Sequence, residues 1–187
     1  FCNTPTDTYM ALKENLPDAE FVDVLVLMQE LRAVKTEFEL NLLRNSSNFI
    51  TTSMEKVMKG TKPGTDTKSI AQALKEEETN FGMNFEYCLV AAGNSYNRTP
   101  SDKLFWNKGD ILSLDSGANI DGYLGDLCRM AVMGEPTDTM IDLLSQVRSI
   151  NDAPRKVIHQ GITGQDLLEE AYKEISCCDK NLDFKFV

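Results

Sequence analysis

Three aspartates crowd the stretch LSLDSGANIDGYLGDLCRM, Leu112 to Met130. The flanking segments, ILSLDSGA and YLGDLCRMAVMG, read as two β-strands around an NIDG turn. Centring the turn between Ile120 and Asp121 sets Asp115 opposite Asp126, Leu114 opposite Leu127 and Ser113 opposite Cys128. Both carboxylates then share a face, with Cβ atoms about 5 Å apart. Two bare anions at that spacing repel by roughly 3 kcal/mol in a half-buried setting. A shared proton, a neighbouring arginine, or one or two divalent cations would relieve the repulsion. Arg129 is close in sequence but points to the other face in this register. Hard oxygen ligands so placed suit Mn²⁺, Co²⁺ or Zn²⁺ in a two-metal hydrolytic site. A solvated face or a bulge would instead leave both as ordinary surface acids. The flanks ILSL and LCRMAV, apolar on both parities, argue against that. Asp121 is explained by the turn alone. A calcium loop is discounted, because Ile120 stands where such a loop needs glycine and strands flank the segment.

Helices must hold this hairpin in place. A helix is predicted from about Lys35 to Lys59, with Leu43, Ile50, Met54 and Val57 at helical spacing and Ser46 and Ser47 as small residues on the same side. It stops at Gly60. TKPGTD turns the chain, and Asp66 or Thr65 caps a second helix through about Glu78. NFEYCLVAAG reads as a strand and WNKGD as a turn. EPTDTMIDLLSQVRSINDAPRKVIHQG is helical again, with Pro154 as a break or kink. TGQDLLEEAYKEIS is a shorter helix, and NLDFKFV reads as a strand. The second helical pair echoes the first at an offset of 100: Val57 with Val157, Gly64 with Gly164, Asp66 with Asp166, Ala71 with Ala171. The reading is an α/β (α+β) protein of two pseudo-symmetric repeats on an antiparallel sheet, the second cut short. Residues 1–35 are expected to be the tail of a preceding domain or a connector, and residues 36–187 the main domain. Because the chain opens on Phe1, it is expected to be a piece of a longer polypeptide.

The net charge of -10 disfavours nucleic acid and anionic membranes as partners. No apolar run of about 18 residues predicts a transmembrane helix, and no basic, apolar leader predicts a signal peptide. The five cysteines, Cys2, Cys88, Cys128, Cys177 and Cys178, are odd in number and form no CxxC. They are expected to be reduced, in a cytoplasmic protein. The sequons at Asn45 and Asn97 are then chance matches.

The stretch KGDILSLDSGANIDGYLGDLCRMAVMGEP resembles the strand pair of the pita-bread metallopeptidases, which include methionine aminopeptidase, aminopeptidase P, prolidase and creatinase relatives. The shared pattern is GD-x-x-x-x-D-x-G-x-x-x-x-GY-x-x-D-x-x-R. ELRAVKTEFELNLLR resembles the start of the catalytic domain in the Xaa-Pro branch. The resemblance spans roughly Val22 to Ser176. It implies a pita-bread fold, with residues 36–187 as a partial catalytic domain. It also implies that Asp115 and Asp126 are two of five ligands to two divalent ions, whose bridging hydroxide attacks an N-terminal amide of a peptide. The remaining family ligands, one histidine and two glutamates on later strands, have no match here. The only histidine, His159, reads as a cation at a helix end. Weak metal binding, or none, and negligible peptidase activity are therefore expected of this chain. Arg98 stands where the family has a substrate-side histidine, 17 residues before the first aspartate. It reads either as a surface residue or as a bidentate donor to a carboxylate. Arg98 keeps open a creatinase-like hydrolase acting on a small molecule with a non-peptide C–N bond. A non-catalytic binding or dimerisation module, with a homodimer allowed, is the other alternative. Tyr123 and Arg129 match the motif without needing a catalytic role, and Cys128 reads as a small buried residue.

Overall fold

The computed structural model describes residues 4–178. The elements run α1 (Thr6–Asn15), α2 (Leu25–Ala33), α3 (Glu37–Gly60), β1 (Thr65–Asp66), α4 (Thr67–Asn80), β2 (Asn84–Ala92), β3 (Phe105–Trp106), β4 (Ile111–Ile120), β5 (Tyr123–Val132), α5 (Asp138–Lys156) and α6 (Gly164–Ile175). The expected NLDFKFV strand lies outside the described residues.

Helix α3 starts in a capping box. Thr36 Oγ1 accepts from Glu39 N–H at 3.3 Å, and Glu39 Oε2 accepts from Thr36 N–H at 2.6 Å. Its buried stripe is Ser46, Ile50, Ser53, Met54 and Val57, the spacing of one helical face. Leu43 and Ser47 are only half-buried. Asp66 caps α4 through Ser69 N–H at 2.8 Å. Helix α4 buries Ile70 and Leu74.

Strands β2, β4 and β5 form an antiparallel sheet with β4 in the centre, while β1 and β3 pair separately. Strand β4 alternates: Leu112, Leu114, Ser116 and Ala118 are fully buried on the face that packs against α3 and α4. Val90, Ala92, Met54, Leu74 and Trp106 complete that core. Each large apolar side chain so buried contributes about 1.5–3 kcal/mol. The opposite sheet face carries the aspartates.

Two small residues seat α3 on the hairpin. Ser46 Oγ donates to Ala118 C=O at 2.9 Å and accepts from Gly125 N–H at 2.9 Å, so one hydroxyl ties the helix to both strands. Ser46→Ala is expected to lower the unfolding free energy by about 1–2 kcal/mol, as read by urea denaturation.

Among the described residues, two buried polar side chains, Ser53 and Glu78, have no comparable partner. Glu78 on α4 is fully buried, and neither carboxylate oxygen makes a hydrogen bond. Ser116 faces it from β4, but the Ser116 hydroxyl donates to Tyr87 C=O at 2.9 Å. Burial pushes the Glu78 carboxyl up to about 7, with Ser116 opposing. Burial also pushes the Cys88 thiol up to about 12, helped by Glu78 and Asp115.

Helices α5 and α6 pack on one another, and each buries one residue, Ile150 and Ala171. Pro154 falls in the last turn of α5 and does not break it. The repeated helix–turn–helix order is present, but the cap positions are shifted. Asp66 is the N-cap of α4, whereas α6 is capped by Thr163 with Asp166 three residues inside, closing a capping box. Gly64 sits in a turn at φ +81°, whereas Gly164 is already helical. The offset of 100 therefore aligns sequence letters more closely than structural roles.

Candidate functional site

The hairpin register differs from the expected one by two residues. Asp121 and Gly122 form the turn, at φ 51° and 84°. Left-handed φ at both central residues gives the tight two-residue turn that matches strand twist. The strands therefore extend to an Ile120–Tyr123 pair. Asp115 lies opposite Cys128, Asp126 opposite Gly117, Leu114 opposite Arg129 and Ser113 opposite Met130. Parity is kept, so Asp115 and Asp126 still share a face. They are diagonal neighbours rather than directly opposed, which lengthens their separation and weakens their repulsion.

This face is more open than the apolar flanks suggested. The Asp115 side chain is 20% exposed, and Asp126 and Cys128 are exposed. The expectation that Cys128 is buried is thereby corrected. Its Sγ lies 3.4 Å from Ser113 Oγ. Arg129 projects to the helix side, beside Thr51 and Glu55, as its parity requires.

Strand β2 adds a residue that the sequence reading missed. Tyr87 is the β2 neighbour of Gly117, and its ring covers that glycine. A Cβ on Gly117 would lie 2.4 Å from Tyr87 Cε1. The row Tyr87–Gly117–Asp126 thus crosses three strands, with the glycine making room for the ring. Burial raises the Tyr87 phenol above its ordinary range, followed by the Asp126 carboxylate beside it and by Asp115, with Arg98 opposing. The glycine two residues after Asp115 was the available signal. A register for β2 was needed to use it.

Arg98 is brought to the same face. Its loop folds back along β2, with Val90 N–H donating to Arg98 C=O at 2.8 Å. Thr67 holds the far end of the loop, through its Oγ1 to Ser101 C=O at 3.1 Å and its N–H to Leu104 C=O at 2.8 Å. Arg98 Nη2 donates to Asp115 Oδ2 in an ion pair. Arg98 is an exposed residue, as one of its two readings has it, and it donates through a single nitrogen to the chain's own Asp115 rather than as a bidentate donor. His159 is exposed beyond the end of α5, and its ring Nδ1 lies 2.9 Å from Gln160 O. It is far in sequence from the hairpin and takes no part in this cluster.

Asp115 and Asp126 are two hard-oxygen donors on one accessible face, which fits part of a divalent-cation site. Among the described residues, no group of three or more His, Cys, Asp or Glu side chains is arranged to hold an ion.

The sequence pattern of Metallopeptidase family M24 matches residues 41–184. The chain belongs to that family. The chain is 26% identical over 164 residues to an uncharacterized peptidase, YqhT, of Bacillus subtilis, covering 85% of this chain and 46% of that one. It is 26% identical over 175 residues to a Xaa-Pro dipeptidase of Lactobacillus delbrueckii subsp. lactis, covering 90% and 47%. The fold matches an X-Pro aminopeptidase of Thermotoga maritima with a TM-score of 0.80 at 22% identity, over 92% of this chain and 50% of that one. The M24 chain therefore spans about half the length of these relatives. The mixed α/β fold with antiparallel strands is the pita-bread architecture, as expected, and Xaa-Pro peptidases are among its relatives, beside methionine aminopeptidases.

Proposed function

We propose that this M24 chain carries part of the active site of a metal-dependent Xaa-Pro aminopeptidase or dipeptidase. The observation that supports it is the placement of Asp115 and Asp126 on one open face of the central hairpin, inside the span matched by the family. In this reading the two carboxylates hold divalent metal, Mn²⁺, Co²⁺ or Zn²⁺. Metal bound there supplies Lewis acidity for hydrolysis of an amide. Tyr87 and Gly117 fix the Asp126 side of the cluster, and the 93–104 loop fixes the other. The exposed face admits a peptide end. Residues 1–35 act as a connector, which fits the absence of any buried residue in α1 and α2. A cytoplasmic location goes with this reading.

Two aspartates leave most coordination positions to water, so the 187-residue chain is expected to bind metal weakly and to turn over Xaa-Pro dipeptides negligibly. Titration calorimetry with Mn²⁺ and a dipeptide cleavage assay check this. Asp126→Asn is expected to abolish the residual binding. Tight uptake of two ions per chain, or robust cleavage, would overturn the account.

The Arg98–Asp115 ion pair favours a second reading, in which the fold is kept as a non-catalytic binding or dimerisation module. A creatinase-like activity on small C–N substrates is tested in the same assay with an amidine and urea panel. Turnover there with none on dipeptides selects it.

A further inference from the structure

The Asp115–Asp126 cluster has its own donors. Asp115 is paired with the Arg98 guanidinium, and Asp126 lies beside the Tyr87 phenol. The Asp115 side chain is 20% exposed and that of Arg98 49%, so the pair is partly shielded and stronger than a fully solvated one. The backbone that carries Arg98 is anchored on both sides. Its carbonyl is tied to the β2 edge at Val90, and Thr67 anchors the loop beyond it. Asp115 is the β4 neighbour of Leu89, the residue next to Val90. The loop therefore holds the Arg98 backbone one strand away from Asp115, within reach of its guanidinium.

A guanidinium and a divalent cation cannot both take Asp115 Oδ2 at full strength. The guanidinium occupies a lone pair of that oxygen and repels an incoming positive charge. We infer that Arg98 is a resident counter-cation of this site, competing with divalent metal for Asp115, so that metal entry requires the guanidinium to leave. Arg98 is thus a positioning and gating residue that sets metal affinity. This inference rests on the reading of Asp115 and Asp126 as metal ligands.

The test measures Mn²⁺ binding, with Mn²⁺ alone as the probe, by the loss of the free-ion electron paramagnetic resonance signal. The full 187-residue chain is compared with Arg98→Gln and Arg98→Lys at neutral pH. Removing the competing charge in Arg98→Gln is expected to tighten Mn²⁺ binding by about tenfold or more. Arg98→Lys keeps a cation and is expected to bind close to the parent. Millimolar methylguanidinium added to Arg98→Gln is expected to weaken binding again, which a purely structural role for Arg98 would not produce. In an Asp115→Asn background, Arg98→Gln is expected to give no gain. Circular dichroism of each variant shows that it is folded, and Arg98→Lys serves as the folded reference if Arg98→Gln is not.

Equal or weaker Mn²⁺ binding by Arg98→Gln overturns the competition. If the parent chain still binds, and Asp126→Asn abolishes that binding, the metal reading survives that result. Binding by neither parent nor Arg98→Gln overturns both. A gain in affinity by Arg98→Lys equal to that of Arg98→Gln also overturns the competition, because the charge would then not be the cause.

Discussion

Replacing Glu78 with Met is expected to stabilise the protein by about 3 kcal/mol at pH 8, and by little at pH 4.5. The Glu78 carboxyl is enclosed between α4 and the sheet with no hydrogen-bond partner, and burial raises it from 4.5 to about 7. Below pH 4.5 the group is protonated in both folded and unfolded chains and has no effect on the balance. Between pH 4.5 and 7 the unfolded chain releases its proton and the folded chain keeps it. Folding then takes up a proton, so stability falls as pH rises across that window. Above pH 7 the loss is complete, and a rise of that size corresponds to about 3 kcal/mol. Against a typical stability of about 5–15 kcal/mol this is a large share. The carboxylates that act the other way are lowered: Glu39, Asp66 and Asp166 by helix caps, Glu55 by Lys59. Their contributions are lost as pH falls below the ordinary carboxylate range, outside the Glu78 window. The wild-type minus Glu78→Gln difference in unfolding free energy, measured at each pH from 4 to 8, isolates the Glu78 effect. A flat difference would overturn it.

Gly125→Ala is expected to cost about 2–3 kcal/mol. A Cβ there would lie 2.8 Å from Ser46 Oγ, 2.9 Å from Ile50 Cδ1 and 3.0 Å from the Ser46 carbonyl carbon. The last of these is helix backbone, so relief requires α3 to move off β5. That movement also breaks the hydroxyl bridge from Ser46 to Gly125 N–H and Ala118 C=O. Gly122→Ala is a useful contrast. Its Cβ would meet nothing within 4 Å, but φ is +84°, a conformation that costs a residue with a Cβ about 1 kcal/mol. Urea denaturation of both variants separates crowding from backbone strain. Equal losses would argue against the close-packing account of Gly125.

Helices α3 to α6, the strands β2, β4 and β5, and the shared face of Asp115 and Asp126 follow from local signals. Strand parity is two, so any register error of two residues preserves which side each residue faces. The two aspartates therefore share a face in either register, although only the expected one sets them directly opposite. The register itself depended on the left-handed turn at Asp121 and Gly122. The DG pair reads as a turn, and its centre lies between Asp121 and Gly122, one residue later than the expected centre. Ser46 was legible as a small residue on the packing side of α3. Its role as a bridge between two strands was not, because both partners lie more than 70 residues away.

Sequence by itself determined the order of α3, α4, β2, β4, β5, α5 and α6, the acidic pair, and an arginine 17 residues before Asp115. Spacing carries the elements and the acidic pair, because each is a local or short-range property of the chain, while the significance of the arginine comes from the family resemblance. Only the tertiary structure decided that Arg98 meets Asp115, that Tyr87 lies over Gly117 beside Asp126, and that Glu78 is sealed beneath the same sheet. Each of these needs a strand register, a loop path or a helix docking, and these are fixed by long-range packing rather than by any neighbouring residue.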